Sequence, residues 1–399
     1  MHPRARRLAV LAVPALAAAG AMLPAAHGAA ATGPGTVTRS AAGPRPAVHE
    51  AADTAKEQRT VKKFWTAARM KAAEPLDAPG TGDRHFAAAG SATGSTAGAP
   101  AEASAARSTT GSTAGAPAEA SAARSTTGSA TLTSTAPTST APTSTAPTAA
   151  TLTAATTSAA TARPSSSTSG SSWTAGGTVA KTTGRVFFTV TAGSDAGRNA
   201  SCSGTAVTSA NKSVVITAGH CVKLNGAFHA NWVFVPGYDQ GNRPNGTWPA
   251  TTLLTTPQWN SGENMNFDIA AAVVAPQDGK SLTDVVGGQG VAFNQPRGQQ
   301  TYAFGYPAGA PYDGSKLVYC GGRTFDDYLS SQDQGLSCGM TGGASGGPWF
   351  VRFDTRTGSG LLNSVNSFKY NFASYWMFGP YFGPEAEAVY NTAQKTALT

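Results

Sequence analysis

The stretch TGGASGGPW, residues Thr341–Trp349, surrounds one serine with four glycines. This composition is typical of two different features: a flexible turn between strands, and a nucleophile whose backbone must come close to a substrate. Glycine suits both, because without a Cβ it approaches ligands closely and adopts torsions that other residues avoid. A serine hydroxyl attacks efficiently only when a neighbouring base takes its proton. The interpretation therefore depends on whether the chain also supplies a base and a group that orients it.

Histidine is the usual base, and residues 175–399 contain two histidines. His220 lies in ITAGHCV, where an apolar, strand-like run turns sharply through Gly219. His229 lies in NGAFHANW, which we interpret as a polar loop without comparable anchoring. The first is therefore the stronger candidate for a base.

Asp268 is the candidate for the orienting carboxylate, because NFDIAAAVV places it at the head of a long apolar run. Burying a carboxylate there is unfavourable unless it accepts hydrogen bonds. An imidazole held in one tautomer would donate such a bond. Taken alone, Asp268 could equally cap a turn at the start of a strand.

The order of these residues along the chain separates the types of serine hydrolase. GASGG also matches the G-x-S-x-G nucleophile elbow, but that fold needs its histidine after the serine, and none follows Ser345. The subtilisin order needs an aspartate before the histidine, and only Asp195, in a loop, qualifies within residues 175–399. His220, Asp268 and Ser345 follow the chymotrypsin order.

The segments TAGHC, FDIA and GGASGGP together resemble the chymotrypsin/trypsin family of secreted serine endopeptidases, especially its bacterial, glutamyl-endopeptidase-like branch. The resemblance covers about residues 186–399. It implies an all-β fold of two packed six-stranded antiparallel β-barrels with a C-terminal helix. It also implies Ser345 as nucleophile, His220 as base and Asp268 as its orienting group. The amides of Gly343 and Ser345 would form the oxyanion hole.

The same resemblance locates a substrate pocket and two disulfides. It implies the pairs Cys202–Cys221 and Cys320–Cys338, and an even number of cysteines in an exported chain agrees with two bridges. A zinc site is not expected, because no two cysteines form a C-x-x-C pair and only two histidines, His220 and His229, lie nearby. No metal and no cofactor are expected. The residues expected to bind substrate are Gly339, Asn366, Ser367 and Phe368.

Three departures from the family bear on activation and specificity. Ala344 replaces the aspartate that trypsin-type enzymes pair with a new N-terminus, so latency must have another source. Gly339 replaces their pocket aspartate, which argues against a preference for Lys or Arg. Asn366 stands near the histidine of glutamyl endopeptidases, which leaves a preference for Glu open, although Lys369 could attract an acidic residue.

The N-terminal half has a different composition. Residues 1–28 combine a basic start, an apolar run and small residues, the pattern of a secretory signal peptide; an uncleaved anchor is the alternative. Residues 29–78 are interpreted as a pro-segment, with a short amphipathic helix indicated by the spacing of Val61, Phe64, Trp65 and Met70. A marginal helix without a partner fits this pattern equally well.

Residues 79–174 are rich in Ala, Ser, Thr, Pro and Gly and contain a 17-residue unit twice, at 94–110 and 111–127. With almost no large apolar side chains to offset the entropy of ordering, this linker is expected to be disordered. Residues 175–399 alternate β-rich runs such as RVFFTVT with turn signals. Gly383-Pro384 predicts the start of a C-terminal helix. This part is expected to be the trypsin-like peptidase domain.

Charge excludes one class of partner. The net charge is +8, but from residue 175 onward there are 14 Lys and Arg against 13 Asp and Glu, so a basic nucleic-acid surface is not expected. The expected partners are polypeptide substrates. The protein is expected to be an extracellular monomer, and its linker could attach it to the cell wall. Two alternatives remain: a protease-fold binding or adhesion protein without activity, and a secreted esterase that uses the same triad.

Overall fold

The computed structural model describes residues 45–76 and 169–399. The predicted signal peptide and the repeats of the predicted linker lie outside these residues. Within the described ranges, no helix is long and apolar enough to cross a membrane.

Residues 45–76, part of the predicted pro-segment, contain two helices where the sequence indicates one. Thr54 and Glu57 form a reciprocal capping box that starts the first helix. Thr66 leaves the helical conformation and accepts the amide of Arg69, which starts the second. The elements are β1 (Ala47–Glu50), α1 (Ala55–Phe64), α2 (Ala67–Ala72) and β2 (Glu74–Pro75).

The next part of the chain forms a closed six-stranded antiparallel barrel. Its strands follow the order β9–β4–β5–β6–β11–β10, and β10 pairs back with β9. The elements are β3 (Ser171–Ser172), α3 (Gly177–Thr182), β4 (Thr183–Thr189), β5 (Asn199–Val207), β6 (Val214–Thr217), β7 (Lys223–Leu224), β8 (Ala227–Phe228), β9 (Ala230–Pro236), β10 (Trp248–Thr255), α4 (Pro257–Gly262), β11 (Ala270–Val274) and α5 (Leu282–Val286).

The C-terminal part consists of two further sheets and a helix. The elements are β12 (Gly290–Val291), β13 (Gln300–Gly305), β14 (Val318–Arg323), β15 (Phe325–Asp326), β16 (Gln334–Ser337), β17 (Pro348–Asp354), β18 (Ser359–Val365), β19 (Trp376–Gly379) and α6 (Pro384–Ala393). One sheet has the order β12–β18–β17–β13–β14–β3 and the other β15–β16–β19. A buried core that includes Leu336, Trp349 and Met377 joins them, and α6 packs back against β10, β11 and β6 of the barrel.

The predicted fold class, all-β with a C-terminal helix, is confirmed. Of the two six-stranded barrels expected, the structure shows one as a closed barrel, and the C-terminal strands form the two further sheets. The fold begins before the predicted boundary at residue 175, because Ser171 and Ser172 pair with β14. Trp173 packs edge-on against Phe304 and Tyr319. The strand pairing, the packing of Trp173 and a hydrogen bond from Tyr312 to the carbonyl of Ser169 attach these residues to the sheet, although their composition is that of a linker.

Residues 45–76 are attached to the barrel at several points. β1 pairs antiparallel with β10, and β2 pairs parallel with β5. Trp65 is 1 % exposed, contacts the ring of Phe187, and donates from Nε1 to the carbonyl of Asn231 at 2.5 Å. The apolar face indicated by the sequence therefore has a partner, the outer surface of the barrel.

Candidate active site

The barrel register brings His220 and Asp268 to the same place. β6 and β11 are antiparallel neighbours in which Thr217 pairs with Ala270. His220 lies three residues after Thr217, in a 3-10 turn, and Asp268 lies two residues before Ala270, at the end of another 3-10 turn. Since the end of one antiparallel strand lies beside the start of its neighbour, the two side chains meet.

Asp268 is fully buried, and three donors satisfy its carboxylate. Oδ1 accepts the amide of His220 at 2.8 Å. Oδ2 accepts Nδ1–H of His220 at 2.8 Å and the hydroxyl of Ser367 at 2.5 Å. Because a carboxylate only accepts, Nδ1 must carry the hydrogen, which leaves Nε2 with a free lone pair. The pair is thus fixed in the tautomer that a general base requires.

Ser345 lies in the loop between β16 and β17, where the two halves of the fold meet. Its carbonyl accepts the amide of Ser203, on β5, at 2.7 Å. The hydroxyl of Ser203 donates to the carbonyl of Gly343 at 2.9 Å. Ser203 on the barrel therefore holds the serine loop at both Gly343 and Ser345.

The glycines of this loop serve packing as well as access. Gly343 has φ +88°, and a Cβ there would lie 2.9 Å from the carbonyl oxygen of Tyr306. A Cβ on Gly346 would lie 2.0 Å from Oγ1 of Thr217, the residue that ends β6. Contacts this short exclude a side chain. Part of the glycine richness is thus explained by close contact between barrel and loop.

The amides expected to bind the oxyanion have no competing acceptor in the described parts of the chain. Among the described residues, no group accepts a hydrogen bond from the amide of Gly343 or of Ser345. The turn around them is closed by Ala344, which donates to the carbonyl of Thr341 at 3.2 Å. Both N–H groups are therefore available to a ligand.

The serine hydroxyl and the imidazole are not bonded to each other. Nε2 of His220 is buried and has no hydrogen-bond partner in the described parts of the chain. Oγ of Ser345 instead donates to the carbonyl of Leu76 at 3.4 Å. Leu76 follows β2, and its amide donates to the carbonyl of Ser201 on β5 at 3.0 Å. The end of the described N-terminal segment thus occupies the space in front of Ser345.

A cavity of about 410 Å³ opens beside Ser345. Ser367 and Phe368, both predicted to bind substrate, line it. Gly339 and Asn366 are not among the described residues that line it. A Cβ on Gly339 would instead lie 2.8 Å from the carbonyl of Ser169.

The structure places Asn366 behind the serine loop. Its amide donates to the carbonyls of Phe304 at 2.8 Å and Ala344 at 2.9 Å, and it accepts from Nε1 of Trp349 at 2.7 Å. These bonds use the whole side chain for support of the loop. The sequence carries no local signal of this role, because all three partners are distant along the chain.

His229 contradicts the interpretation of a loosely anchored loop. It is 2 % exposed, stacks on Phe188 and donates from Nε2 to the backbone carbonyl of His220 at 2.9 Å. Burial lowers its pKa to about 4, so it is neutral at physiological pH. It therefore fixes the backbone of His220 and carries no charge into the site. The apolar residues around it, Phe228 and Trp232, were the available signal.

A second buried carboxyl lies near this site. Asp333 is 1 % exposed, and neither of its oxygens has a partner among the described residues. Burial, followed by the charges of Asp268 and Asp327, raises its pKa well above the ordinary value. The shift favours the neutral form of Asp333, because a second negative charge near Asp268 is unfavourable.

Both disulfides implied by the family resemblance are formed. Cys202–Cys221 joins β5 to the residue after His220, and Cys320–Cys338 joins β14 to the residue after β16. The sulfurs of Cys202 and Cys221 lie within 4.8 Å of a ring nitrogen of His220. Because they are bonded to each other, they are not available as thiolate metal ligands.

No family model and no curated protein matches this chain. Among solved structures, the protease Anisep from Arthrobacter nicotinovorans is 45% identical over 54% of this chain and 96% of its own, with a TM-score of 0.51. The thermostable serine protease AL20 from an extremophilic microorganism is 42% identical over 55% of this chain and 100% of its own, also with a TM-score of 0.51. A Glu endopeptidase, 16% identical over 57% of this chain and 97% of its own, has a TM-score of 0.44 and supports no further argument.

Proposed function

This chain belongs to the bacterial chymotrypsin-like serine proteases, and from that premise we propose that it hydrolyses peptide bonds through His220, Asp268 and Ser345. It is a serine-type endopeptidase that acts on polypeptides. The observation that carries the assignment of residues is the buried pair of His220 Nδ1 and Asp268 Oδ2, 2.8 Å apart.

In the proposed mechanism, Ser345 attacks the peptide carbonyl while Nε2 of His220 takes the hydroxyl proton. Asp268 stabilises the imidazolium that forms, and the imidazolium then protonates the leaving amine. Water hydrolyses the acyl-enzyme with the same base. The amides of Gly343 and Ser345 stabilise the oxyanion, at about 3 kcal/mol for each donor.

Pre-steady-state kinetics test the acyl-enzyme. A p-nitrophenyl ester should release one equivalent of p-nitrophenol per active enzyme in a burst, because acylation by an activated ester outpaces hydrolysis of the acyl-enzyme. A peptide p-nitroanilide should be cleaved by the same preparation, which separates a protease from an esterase. Peptide hydrolysis that continues after Ser345 has been replaced would contradict the proposed nucleophile.

Residues 45–76 are proposed to keep the enzyme latent, as part of a pro-segment that spans residues 29–78. A substrate carbonyl must reach Oγ of Ser345, and the carbonyl of Leu76 lies there, 3.4 Å away. Leu76 is 2 % exposed, so the contact also excludes solvent. In this form Nε2 of His220 lacks the serine as a partner. Removal of the segment would open the cleft and let the serine turn towards the imidazole.

Replacing Trp65 with alanine is predicted to raise the activity of the unprocessed chain at least tenfold. Loss of a buried tryptophan removes about 3 kcal/mol or more of packing, which weakens the docking of residues 45–76 on the barrel. Initial rates on a peptide p-nitroanilide, measured before any cleavage is visible by mass spectrometry, give the result.

Lys63→Ala is the matched control, since Lys63 is exposed on α1, the helix that precedes Trp65. It should leave the rate unchanged. The burst amplitude measures the amount of competent enzyme in each preparation. Equal rates of peptide hydrolysis by the unprocessed Trp65→Ala variant and the unprocessed wild type, at equal burst amplitudes, would contradict the proposal that this segment causes latency.

Export to the extracellular space is also part of the proposal. Two disulfides support it, because such bonds persist in oxidising compartments. The predicted signal peptide, residues 1–28, supplies the route. The monomeric state and cell-wall association through residues 79–174 remain expectations from the sequence.

A further inference from the structure

The cavity beside Ser345 contains one charged side chain among the described residues that line it, Lys369. Its walls are otherwise polar or apolar, with Phe368 and Met377 among them. Because Ser345 also lines the cavity, a substrate whose carbonyl is attacked there has this space open to the side chain of that same residue. In such a complex, the chemistry of the cavity would select the residue before the scissile bond.

Two backbone carbonyls hold the ammonium group of Lys369 in place. Nζ donates to the carbonyl of Cys338 at 2.7 Å and to that of Ser374. Cys338 lies three residues before Thr341, another residue of the cavity wall. An ammonium has three donors, so one N–H remains for a ligand. Two fixed bonds make the position of that donor definite.

Lys369 has no counter-ion in the described parts of the chain. None of the ion pairs there includes it. Burial lowers its pKa to about 8, because the charge loses hydration and no carboxylate replaces it. A half-buried cation with this environment is stabilised by an incoming anion.

Two acidic groups that contact the neighbours of Lys369 accept hydrogen bonds from other residues. Asp268 accepts from Ser367 and His220, and Asp327 accepts from the hydroxyl of Tyr370 at 2.6 Å. Asp333 has a raised pKa and is neutral when protonated. These groups leave the charge of Lys369 uncompensated.

We propose that Lys369 determines specificity by binding the carboxylate of a glutamate or aspartate immediately before the scissile bond. The inference rests on the proposed function, since it assumes attack by Ser345. Charge-assisted hydrogen bonds are stronger and shorter than neutral ones. The carboxylate completes the donor set of the ammonium, while the walls formed by Phe368 and Met377 contact the methylene groups of the substrate side chain.

Two tetrapeptide p-nitroanilides that differ only in glutamate or glutamine before the scissile bond test the proposal. The expected kcat/KM ratio for the activated wild type at pH 6.5 is about 30 in favour of glutamate, the range expected of one charge-assisted hydrogen bond. Lys369→Met should bring the ratio to about 1, mainly through KM for the glutamate substrate. Lys369→Arg, which keeps the charge, should retain part of the preference.

The glutamate-to-glutamine ratio should also depend on pH. The substrate carboxylate is ionised above about pH 5, and Lys369 is charged below about pH 8. The ratio should therefore be highest between these values and should fall as pH rises through about 8. Using a ratio removes the protonation of His220 from the comparison, because both substrates depend on it equally.

Lys280→Met is the matched control, because Lys280 is exposed in the turn between β11 and α5, and it should keep the ratio of the wild type. Fluorophosphonate labelling of Ser345 counts competent enzyme in each variant, so a misfolded variant is recognised. Equal rates on both substrates with full labelling would overturn the role of Lys369 alone. Absence of labelling and of all cleavage in the activated wild type would overturn the proposed function itself.

Discussion

Replacing Ser345 with alanine is expected to lower kcat for peptide hydrolysis about 10⁶-fold, the effect of removing the nucleophile from a complete triad. The residual rate would come from the oxyanion hole and substrate binding alone. Folding should be unaffected, since the hydroxyl makes one bond of 3.4 Å, to Leu76. The measurement is kcat on a peptide p-nitroanilide, made after the same activation treatment for variant and wild type.

Ser337→Ala is the control for this substitution. Ser337 lies in β16 and makes no side-chain hydrogen bond in the described parts of the chain. The kcat of the Ser337→Ala variant should therefore equal that of the wild type. A loss of less than about 100-fold in Ser345→Ala, with thermal unfolding unchanged, would mean that another group attacks the substrate.

Asp268→Asn is expected to lower kcat about 10⁴-fold. Oδ2 of Asp268 accepts from both His220 and Ser367, and the NH₂ group of an asparagine can accept from neither. If the NH₂ faces His220, the imidazole must present a lone pair at Nδ1, and its proton moves to Nε2. The base then has no lone pair directed at the serine. The expected decrease in kcat is therefore larger than the effect of removing one hydrogen bond.

The control is Asp278→Asn, an exposed turn residue with φ +50°, a conformation that asparagine tolerates. Its kcat should remain that of the wild type. Equal kcat values for Asp268→Asn and the wild type would show that the carboxylate does not set the tautomer of His220. A fluorophosphonate labelling rate reduced in parallel with kcat would support the expected mechanism.

The fold class was predictable because alternating β-rich runs and turn signals are local features. His220 and Asp268 were selected by chain order and by their places at strand ends, and the β6–β11 register explains why such positions meet. Their roles remain predictions. The helical spacing around Trp65 indicated an apolar face, but its partner, Phe187 on β4, lies more than a hundred residues away.

The remaining features depend on tertiary contacts that leave no local pattern. The sequence predicts a loosely anchored loop at His229; its neighbours Phe228 and Trp232 indicate burial, but nothing local indicates that its imidazole supports the carbonyl of His220. Asn366 is predicted to bind substrate because it stands near the histidine of glutamyl endopeptidases, yet its amide donates to the carbonyls of Phe304 and Ala344. Ser367 and Phe368, the next two residues, do line the cavity beside Ser345.

The central claim is that Ser345 is a nucleophile activated by His220. The most direct measurement is exposure of the activated protein to a fluorophosphonate probe, followed by peptide mass spectrometry. The account predicts one adduct, on Ser345, that is lost in His220→Ala. An adduct on another residue, or no adduct in a preparation that cleaves peptides, would contradict it.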